Sequence, residues 1–392
     1  MDPRLRAVPE SPPVEGRLSE IASLFMRLGL TAFGGPAAHI AMMQREVVER
    51  RQWLTQEEFL DLLGATNFIP GPNSTEMAIH VGHRRGGWKG LLVAGACFIL
   101  PAALLTLGCG WLYVRYGQLP QASATLYGIK PVIVAVVVQA LWGLGRTAVK
   151  NETLAAVGVA AVVTSVAGVN ELLVLLAGGL AYAVSARSKR RSGAGGSRTP
   201  GAFFLGTAPA LAGAVSPAVS NTSIFLVFSK IGSVLFGSGY VLLAFLRADL
   251  VQSRHWLTEG QLLDAVAVGQ MTPGPVFTTA TFVGYLLHGT GGAVAATVGI
   301  FAPAFVFVAL SGPIIPRLRR SPWAARFLDG LNVASLALMG VVTWSLAQAA
   351  LVDVWAVGIM LVSAAMLLRH KMNSAWLVLG GGALGNIIQW MH

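Results

Sequence analysis

The sequence predicts an all-α protein that crosses a membrane many times and contains two similar halves lying in opposite orientations. Three observations support this prediction. Hydrophobic residues make up 54% of the 392 positions and charged residues only 11%, whereas soluble domains carry about a quarter charged residues. One sequence pattern occurs twice at a nearly constant spacing. The basic residues of equivalent loops alternate between the two halves.

Apolar stretches that approach or exceed the roughly 20 residues needed to span a bilayer recur along the chain. Examples are residues 91–113, 132–144, 153–185, 223–245, 293–310 and 355–368. Residues 1–20 are polar and lack an apolar run, so we expect no cleaved signal peptide. The net charge of +11 comes from bases in short loops between apolar stretches. That arrangement is typical of membrane topology rather than of nucleic-acid binding, and no nucleic-acid partner is expected.

The internal repeat pairs residues 25–136 with residues 228–338. Trp53 and Trp256 lie 203 positions apart, as do the turns that begin at Pro70 and Pro273. After one lost residue the spacing becomes 202, as between Pro101 and Pro303. A single spacing with one slip over about a hundred residues indicates duplication of a half-transporter.

The repeat divides the chain into four segments. Residues 1–20 form a polar N-terminal segment and residues 21–186 the first membrane repeat. Residues 187–222 are a flexible basic linker followed by an apolar connector, and residues 223–392 are the second membrane repeat. The apolar connector, residues 202–219, contains Pro and Gly, which favours a surface or interfacial segment over an additional span.

Loop charges predict that the halves are inverted. Arg84, Arg85 and Lys89 follow Gly82, whereas the equivalent loop after residue 284 carries only a histidine. The next pair of loops reverses this asymmetry, with Arg115 alone in the first half and several arginines in the second. Because basic loops face the cytoplasm, equivalent loops should lie on opposite sides of the membrane.

Inversion of tandem repeats requires an odd number of spans in each half. We therefore expect five transmembrane helices plus one re-entrant Pro-Gly-Pro hairpin per half. The alternative is six transmembrane helices per half with residues 202–219 as a connecting span.

Two interrupted helices are predicted at Phe33-Gly34-Gly35-Pro36 and at Phe236-Gly237-Ser238-Gly239. Gly adopts unusual backbone angles and Pro lacks an amide hydrogen, so each motif should break an otherwise apolar span. Unpaired backbone groups at membrane depth are tolerated only inside protein or against a water-filled cavity. The alternative is a simple kink that packs closely on a neighbouring helix.

The turns Pro70-Gly71-Pro72 and Pro273-Gly274-Pro275 should each begin a new half-helix inside the protein. Free amides and the positive end of a helix dipole suit an anion, and two such ends could face each other across one cavity. The alternative is a structural hairpin whose hydroxyls bond to their own backbone. The candidate substrate-binding residues are Gly34, Gly35, Asn67, Pro70, Gly71, Pro72, Asn73, Ser74 and Thr75, with Gly237, Ser238, Gly239, Gln270, Thr272, Pro273, Gly274, Pro275, Thr278 and Thr279.

Six charged or titratable residues are candidates for gating or ion coupling: Glu46, Arg51, Glu76, His80, Asp249 and Arg254. The first two repeat as Asp249 and Arg254, whereas Glu76 and His80 have no ionisable counterpart in the second half. Ordinary interfacial ion pairs, and side chains that reach towards the membrane surface, are the alternative interpretation.

Several chemistries are absent from the sequence. It contains no Walker-type phosphate loop, no His-Glu-x-x-His helix and no Gly-x-Ser-x-Gly elbow. Cys97 and Cys109 lie in apolar sequence without metal-ligand spacing. We therefore expect no enzyme activity, no cofactor and no metal site.

The duplicated motifs resemble those of the chromate ion transporter family in its long, two-half form, over essentially the whole chain. The matching positions are Phe33, Gly34, Gly35, Pro36, Trp53, Pro70, Gly71 and Pro72, and Phe236, Gly237, Gly239, Trp256, Pro273, Gly274 and Pro275. Ser238 and Gly239 stand where the first half has Gly35 and Pro36. It therefore stays open whether both halves contact the substrate equally.

The resemblance implies a multi-pass protein of a bacterial or archaeal inner membrane that exports chromate and confers chromate resistance. It also implies a secondary transporter driven by an ion gradient, for which inverted repeats suggest alternating access. An anion channel is one alternative; the other is a transporter whose main substrate is sulfate or another oxyanion. The expected partners are the oxyanion and the lipid bilayer, with a homodimer as a further expectation.

Overall fold

The structure is a computed structural model that describes residues 14–33, 35–117, 119–191, 219–236, 241–319, 321–370, 372 and 374–391. All regular secondary structure in these residues is helical. Gly34, Gly237, Ser238 and Gly239 lie outside the described residues, as do most of the basic linker and the connector up to residue 218.

The first half contains seven helices in its described residues. They are α1 (Val14–Thr31), α2 (Gly35–Gln44), which continues as a π-helical segment (Arg45–Arg50), α3 (Gln56–Thr66), α4 (Asn73–Tyr116), α5 (Pro120–Ala148), α6 (Glu152–Val166) and α7 (Glu171–Arg191).

The second half repeats this order. Its helices are α8 (Asn221–Val234), α9 (Leu242–Leu246) with a π-helical segment (Arg247–Ser253), α10 (Glu259–Met271), a 3₁₀ turn (Val276–Thr278) leading into α11 (Thr279–Arg319), α12 (Pro322–Ala350), α13 (Val354–His370) and α14 (Ser374–Met391).

Equivalent helices begin with the same local signals. Thr55 caps α3 and Thr258 caps α10, each in a reciprocal capping box with the residue three positions later. Pro120 and Pro322 stand at the first turn of α5 and α12, where a missing amide hydrogen costs nothing. These sequence signals therefore define where the equivalent helices start.

Unusual backbone angles also repeat. Gln52 and His255, 203 positions apart, have φ values of 51° and 53°. Gly87 and Gly289, 202 positions apart, both have a φ of 59°. Positive φ values outside glycine are uncommon, so their recurrence shows that the sequence repeat is also a structural repeat.

The chain reverses direction at the first interrupted helix instead of continuing across the membrane as a broken span. Arg27 on α1 lies 2.6 Å from Glu46 beyond α2, and Lys230 lies 2.7 Å from Asp249 at the equivalent place. In one continuing helix, nineteen residues would separate each pair by about 28 Å. The expectation of an interrupted spanning helix is therefore corrected: α1 and α2 form a hairpin, which the ion pair holds closed.

A second reversal lies within α4, at Gly86 and Gly87, where the backbone is not helical. Gly82 and Gly90 approach so closely that a Cβ on either would overlap the other's carbonyl oxygen. The arm formed by residues 73–85 therefore folds back on the arm formed by residues 88–116. The second half repeats this reversal at His288 and Gly289.

The last two helices of each half pack on the other half. Helix α14 packs on α5, where Gly128 lies against Gly381 and Gly385. Helix α7 packs on α12, where Gly330 lies against Gly178. Small residues let the backbones approach closely, which is how helices commonly associate in membranes.

The equivalent helices α4 and α11 run antiparallel where they meet. Gly95 lies against Phe305, Gly110 against Tyr285, and the Tyr113 ring against Phe282 with centroids 5.2 Å apart. Contact positions on α11 fall as those on α4 rise, which defines the antiparallel direction.

The largest apolar cluster joins the two halves. It includes the fully buried run 132–137 of α5 and residues 242–246 of α9 with its preceding turn. The core of the protein therefore lies at the contact between the halves.

Four helical segments in the described residues are long and apolar enough to cross a membrane: Asn73–Tyr116, Pro120–Ala148, Val276–Ser311 and Pro322–Ala350. Helices α6 and α13 and the described part of α7 are apolar but shorter. These properties match the all-α membrane class predicted from composition.

Candidate substrate cavity

Each Pro-Gly-Pro turn docks on the first helix of the other half. The Gly71 amide donates a hydrogen bond of 2.7 Å to the Leu235 carbonyl, where α8 ends. The Gly274 amide donates one of 2.9 Å to the Ala32 carbonyl, just beyond α1. These bonds satisfy carbonyl groups at the helix ends that would otherwise lack partners. The two glycine amides are therefore occupied by protein.

A cavity of about 580 Å³ lies beside the first of these turns. It is bounded by the start of α2, the two amide residues that flank the Pro-Gly-Pro turn, the second part of α5 and the first part of α12. Its lining residues are Pro36, Ala37, Ile40, Asn67, Asn73, Gln139, Ala140, Gly143, Leu144, Thr147, Ala148, Lys150, Val241, Asp329, Asn332, Ser335 and Leu336.

Helix N-termini open into this cavity. Pro36 and Ala37 belong to the first turn of α2, and Asn73 is the first residue of α4. Pro72 caps α4 without a side-chain hydrogen bond. The Thr75 and Glu76 amides donate to the Pro72 carbonyl at 2.8 Å and 3.0 Å, so the amides available at this end are those of Asn73 and Ser74. Unpaired amides and the positive dipole end make such termini suited to an anion.

The opposite wall carries Gln139 of α5 and Asn332 and Ser335 of α12. Ser335 is 1% exposed, and its hydroxyl has no hydrogen-bond partner in the described structure. A buried polar group without a partner is costly, so this hydroxyl is available as a donor to a ligand that comes within reach of it. These three residues are not among those predicted from the sequence, although Asn332 and Ser335, two polar residues three apart in an apolar helix, were a usable signal.

Lys150 and Asp329 lie on the rim of the cavity and form an ion pair of 2.7 Å. Lys150 follows α5 and its side chain is 56% exposed, so this rim is in contact with solvent. Of the described residues that line the cavity, Lys150 is the only basic one.

The predicted first-half residues divide between the cavity wall and the protein interior. Asn67 and Asn73 line the cavity. Ser74 and Thr75 are buried behind the first turn of α4, and the Thr75 hydroxyl has no partner in the described structure.

The predicted second-half residues are placed differently. Thr278 donates to the Pro275 carbonyl at 2.8 Å and Thr279 to the Val276 carbonyl at 2.7 Å. Thr272 donates to the Val268 carbonyl at 3.0 Å, and Gln270 is buried. None of these side chains lines the described cavity, and the hydroxyls follow the alternative reading, in which they bond to their own backbone.

Most of the predicted coupling residues are engaged in local contacts. Glu46 lies 2.6 Å from Arg27, 2.8 Å from Arg50 and 3.6 Å from Arg51. Arg51 and Arg254 lie over the rings of the tryptophans two positions later, at 5.2 Å and 5.1 Å from the centroids. These residues brace the first hairpin of each half and lie outside the cavity lining.

Glu76 and His80 lie in the first arm of α4. Glu76 is 0% exposed and neither carboxylate oxygen has a hydrogen-bond partner in the described structure. His80 is also buried, and its Nε2 has no partner there.

A polar cluster contains the residue that corresponds, in the repeat, to one residue of the cavity wall. Tyr113 donates to Asp264 at 2.8 Å, and Lys130 lies 3.1 Å from the same carboxylate. Lys130 is 202 positions before Asn332, which lines the open cavity. The repeat is therefore asymmetric here: Asn332 lines the cavity, whereas Lys130 pairs with a carboxylate.

Comparison with known proteins identifies the family. The family model described as "Chromate transporter" matches residues 19–183 and again residues 222–386. A chromate transport protein of Cupriavidus metallidurans is 32% identical over 381 residues, covering 95% of this chain and 93% of that protein. One from Pseudomonas aeruginosa is 31% identical over 398 residues, covering 97% and 95%.

An uncharacterized transporter of Methanocaldococcus jannaschii is 26% identical over 380 residues, covering 93% of this chain and 92% of that protein. No solved structure matches the chain. The family match over both halves and the apolar helices together establish a multi-pass membrane transport protein. The chain belongs to the chromate transporter family.

Proposed function

We propose that this protein is a secondary transporter that carries chromate out of the cytoplasm across the bacterial inner membrane by alternating access, and so confers chromate resistance. The observation that carries the proposal is a cavity lined by the first residues of α2 and α4 and by Ser335, whose hydroxyl lacks a partner in the described structure. The relatives named as chromate transport proteins support chromate as the substrate.

The chemistry of the wall suits a tetrahedral dianion. Its donors are neutral amides, a hydroxyl and helix ends, and the only described basic residue is at the rim. Neutral donors bind an oxyanion without the strong attraction of a buried cation, which favours release as well as binding. Sulfate has the same shape and charge, so competition between the two anions is expected.

The open side of the cavity supports export. Its rim contains Lys150, which lies just after α5, and Arg146 is in the last turn of that helix. Basic residues at the end of a span predict that this end faces the cytoplasm. Moving two negative charges outward follows the membrane potential, which supplies about 4.6 kcal/mol per 100 mV for a dianion.

The antiparallel contact of α4 and α11 supports inversion of the halves, with repeats at residues 21–186 and 223–392. The closed Tyr113–Asp264–Lys130 cluster is then the outer gate, and the open cavity is its inner counterpart. One open and one closed side favours alternating access over the channel alternative.

The folded-back helices favour a different count of spans from the five expected. In each half, two hairpins enter and leave on one side, and four crossings follow: the second arm of α4 or α11, and the three helices after it. An even number of crossings returns each half to its starting side. Inversion then requires a span that connects the two halves. From the sequence, residues 202–219 were such a span only in the alternative with six crossings per half. Residues 202–218 lie outside the described residues.

The test is chromate flux into inside-out proteoliposomes under an imposed membrane potential. We expect saturable flux that follows the potential, and Ser335→Ala should raise KM roughly tenfold, because a hydrogen bond to a charged group contributes about 1.5–3 kcal/mol. The matched control is Ser345→Ala on the same helix, whose hydroxyl bonds to the Val341 carbonyl at 3.4 Å. Flux that never saturates would favour a channel, and equal KM values for both variants would remove Ser335 from the site.

A further inference from the structure

We infer that Glu76 is a proton-binding site whose occupancy is thermodynamically linked to oxyanion binding in the adjacent cavity. This inference rests on the proposed function of that cavity. It selects one residue among the several carboxylates that the sequence offered for ion coupling.

The structure separates Glu76 from the other buried carboxylates. The part of the chain that is described contains four: Glu46, Glu76, Asp249 and Asp264. A cation pairs with three of them, as Arg27 with Glu46, Lys230 with Asp249 and Lys130 with Asp264. Glu76 alone among the four has neither an ion pair nor a hydrogen bond to its oxygens.

The state of charge of Glu76 follows from this isolation. An ionised carboxylate that is buried without a partner costs far more free energy than a neutral carboxyl group. In the conformation described here, the side chain is therefore protonated. A conformation that exposes it to water removes that cost and allows the proton to leave.

The position of Glu76 connects it to the cavity. Its carboxyl group lies so close to Gly71 that a Cβ there would overlap Oε1. Asn73, three residues earlier on the same helix, lines the cavity. Glu76 thus lies between the docked turn and the helix end that faces the substrate.

Charge provides the coupling. A carboxylate at Glu76 and a dianion beside Asn73 would both occupy the first turn of α4 and would repel each other. Binding the anion therefore favours the protonated form, and protonation favours binding the anion by the same factor. The reaction is one carboxylate taking up one proton from solvent as one oxyanion binds.

No other described charge near the site replaces Glu76 in this role. His80 lies one turn further along α4, and His39 on α2 is held by the Ala32 carbonyl at 3.1 Å and the Phe98 ring. Arg27 on α1 is paired with Glu46. The packed helix α11 presents Tyr285 and His288 near its own reversal, and α3 carries Glu57, Glu58 and Asp61. None of these groups makes a described hydrogen bond or ion pair with Glu76.

The test is calorimetric titration of the purified full chain with chromate, in alkaline buffers of different ionisation enthalpy, with sulfate as a second probe. The wild type should take up as much as one proton per anion, and its affinity should fall by up to tenfold per pH unit. Glu76→Gln should bind with no proton uptake and with an affinity independent of pH. The matched control is Glu49→Gln, an exposed glutamate that should behave as the wild type.

Equal proton uptake by Glu76→Gln and Glu49→Gln would overturn the inference. A second measurement does not depend on binding: at neutral pH, below the alkaline range of the titration, infrared spectra of the anion-free protein should contain a protonated-carboxyl band that Glu76→Gln lacks. The band without chromate binding would leave the proton site standing and contradict the proposed function. Absence of the band from the wild type would overturn the proton site itself.

Discussion

At the scale of single residues, the two docked glycines perform a task that other residues cannot. Gly71 has a φ of 139° and Gly274 a φ of 88°, a region that L side chains rarely adopt. A Cβ on Gly274 would also lie 2.7 Å from the Ala102 Cβ and 3.0 Å from the Gly29 carbonyl. Both the turn and the close docking therefore require glycine.

We expect Gly274→Ala to destabilise the protein by about 1–3 kcal/mol, because it adds backbone strain and overlap. The measurement is the midpoint temperature of unfolding in detergent, followed as the loss of the folded species in size-exclusion chromatography after heating. Gly340→Ala is the control, since a Cβ there meets nothing within 4 Å. An unchanged midpoint for Gly274→Ala would show that the docked turn relaxes freely.

The sequence predicted the turns because the chemistry of Pro-Gly-Pro is local. It did not predict the partner of the Gly71 amide, since Leu235 lies 164 positions away and has no distinctive chemistry. Ser335 was missed for another reason: the spacing of Asn332 and Ser335 places both on one helix face, but only the rotation of that helix shows what the face contacts.

At the scale of elements, the first hairpin illustrates the limit of motif reading. The Gly-Pro motif predicted an interruption, and an interruption occurs there. Whether the chain continues or reverses depends on the Arg27–Glu46 and Lys230–Asp249 pairs, each of which joins residues nineteen positions apart. From the sequence, Glu46 and Asp249 were interpreted as interfacial or gating groups and their partners Arg27 and Lys230 were not singled out, because spacing alone does not reveal a contact across a turn.

The contact of α5 with α14 depends on glycine at the crossing. A Cβ on Gly128 would overlap the Gly381 carbonyl oxygen. We expect Gly128→Ala to separate these helices and to lower stability by about 1–3 kcal/mol, measured as unfolding in a graded series of denaturing detergent. Gly145→Ala on the same helix has open space and should be neutral or slightly stabilising. Equal behaviour of the two variants would contradict close packing at this crossing.

At the scale of the whole molecule, the proposed alternating access assigns the cavity and the Tyr113–Asp264–Lys130 cluster to opposite sides of one conformational state. Asp264 connects α10, which belongs to the second hairpin of its half, to α4 and α5 of the other half. Loss of its charge releases Lys130 and Tyr113 together. The closed side then opens more often.

We expect Asp264→Asn to increase labelling of a cysteine at Gln270 by a membrane-impermeant thiol reagent added from outside cells, because Gln270 is buried in the described conformation and its repeat equivalent Asn67 lines the cavity. The background lacks Cys97 and Cys109. Asp329→Asn, which removes the ion-pair partner of Lys150 at the rim of the cavity, is the control and should leave this labelling unchanged. Equal labelling in both variants would exclude the cluster as a gate.

The duplication was predictable from its constant spacing, and the fold repeats it down to unusual backbone angles at Gln52 and His255. The exchange of the last two helices between halves was not predictable. Either half offers the same small-residue surfaces, so the sequence does not distinguish packing within a half from packing across. Only the structure shows that the helix against Gly128 is the one that contains Gly381, from the other half.

The hydrogen bonds from Gly71 to Leu235 and from Gly274 to Ala32 connect the Pro-Gly-Pro turn of each half to the end of the first helix of the other half. A movement of either turn is therefore transmitted directly to a helix of the other half. Under the proposed mechanism, this connection would make the two halves change conformation together and would keep both sides of the membrane from having access to the cavity at once.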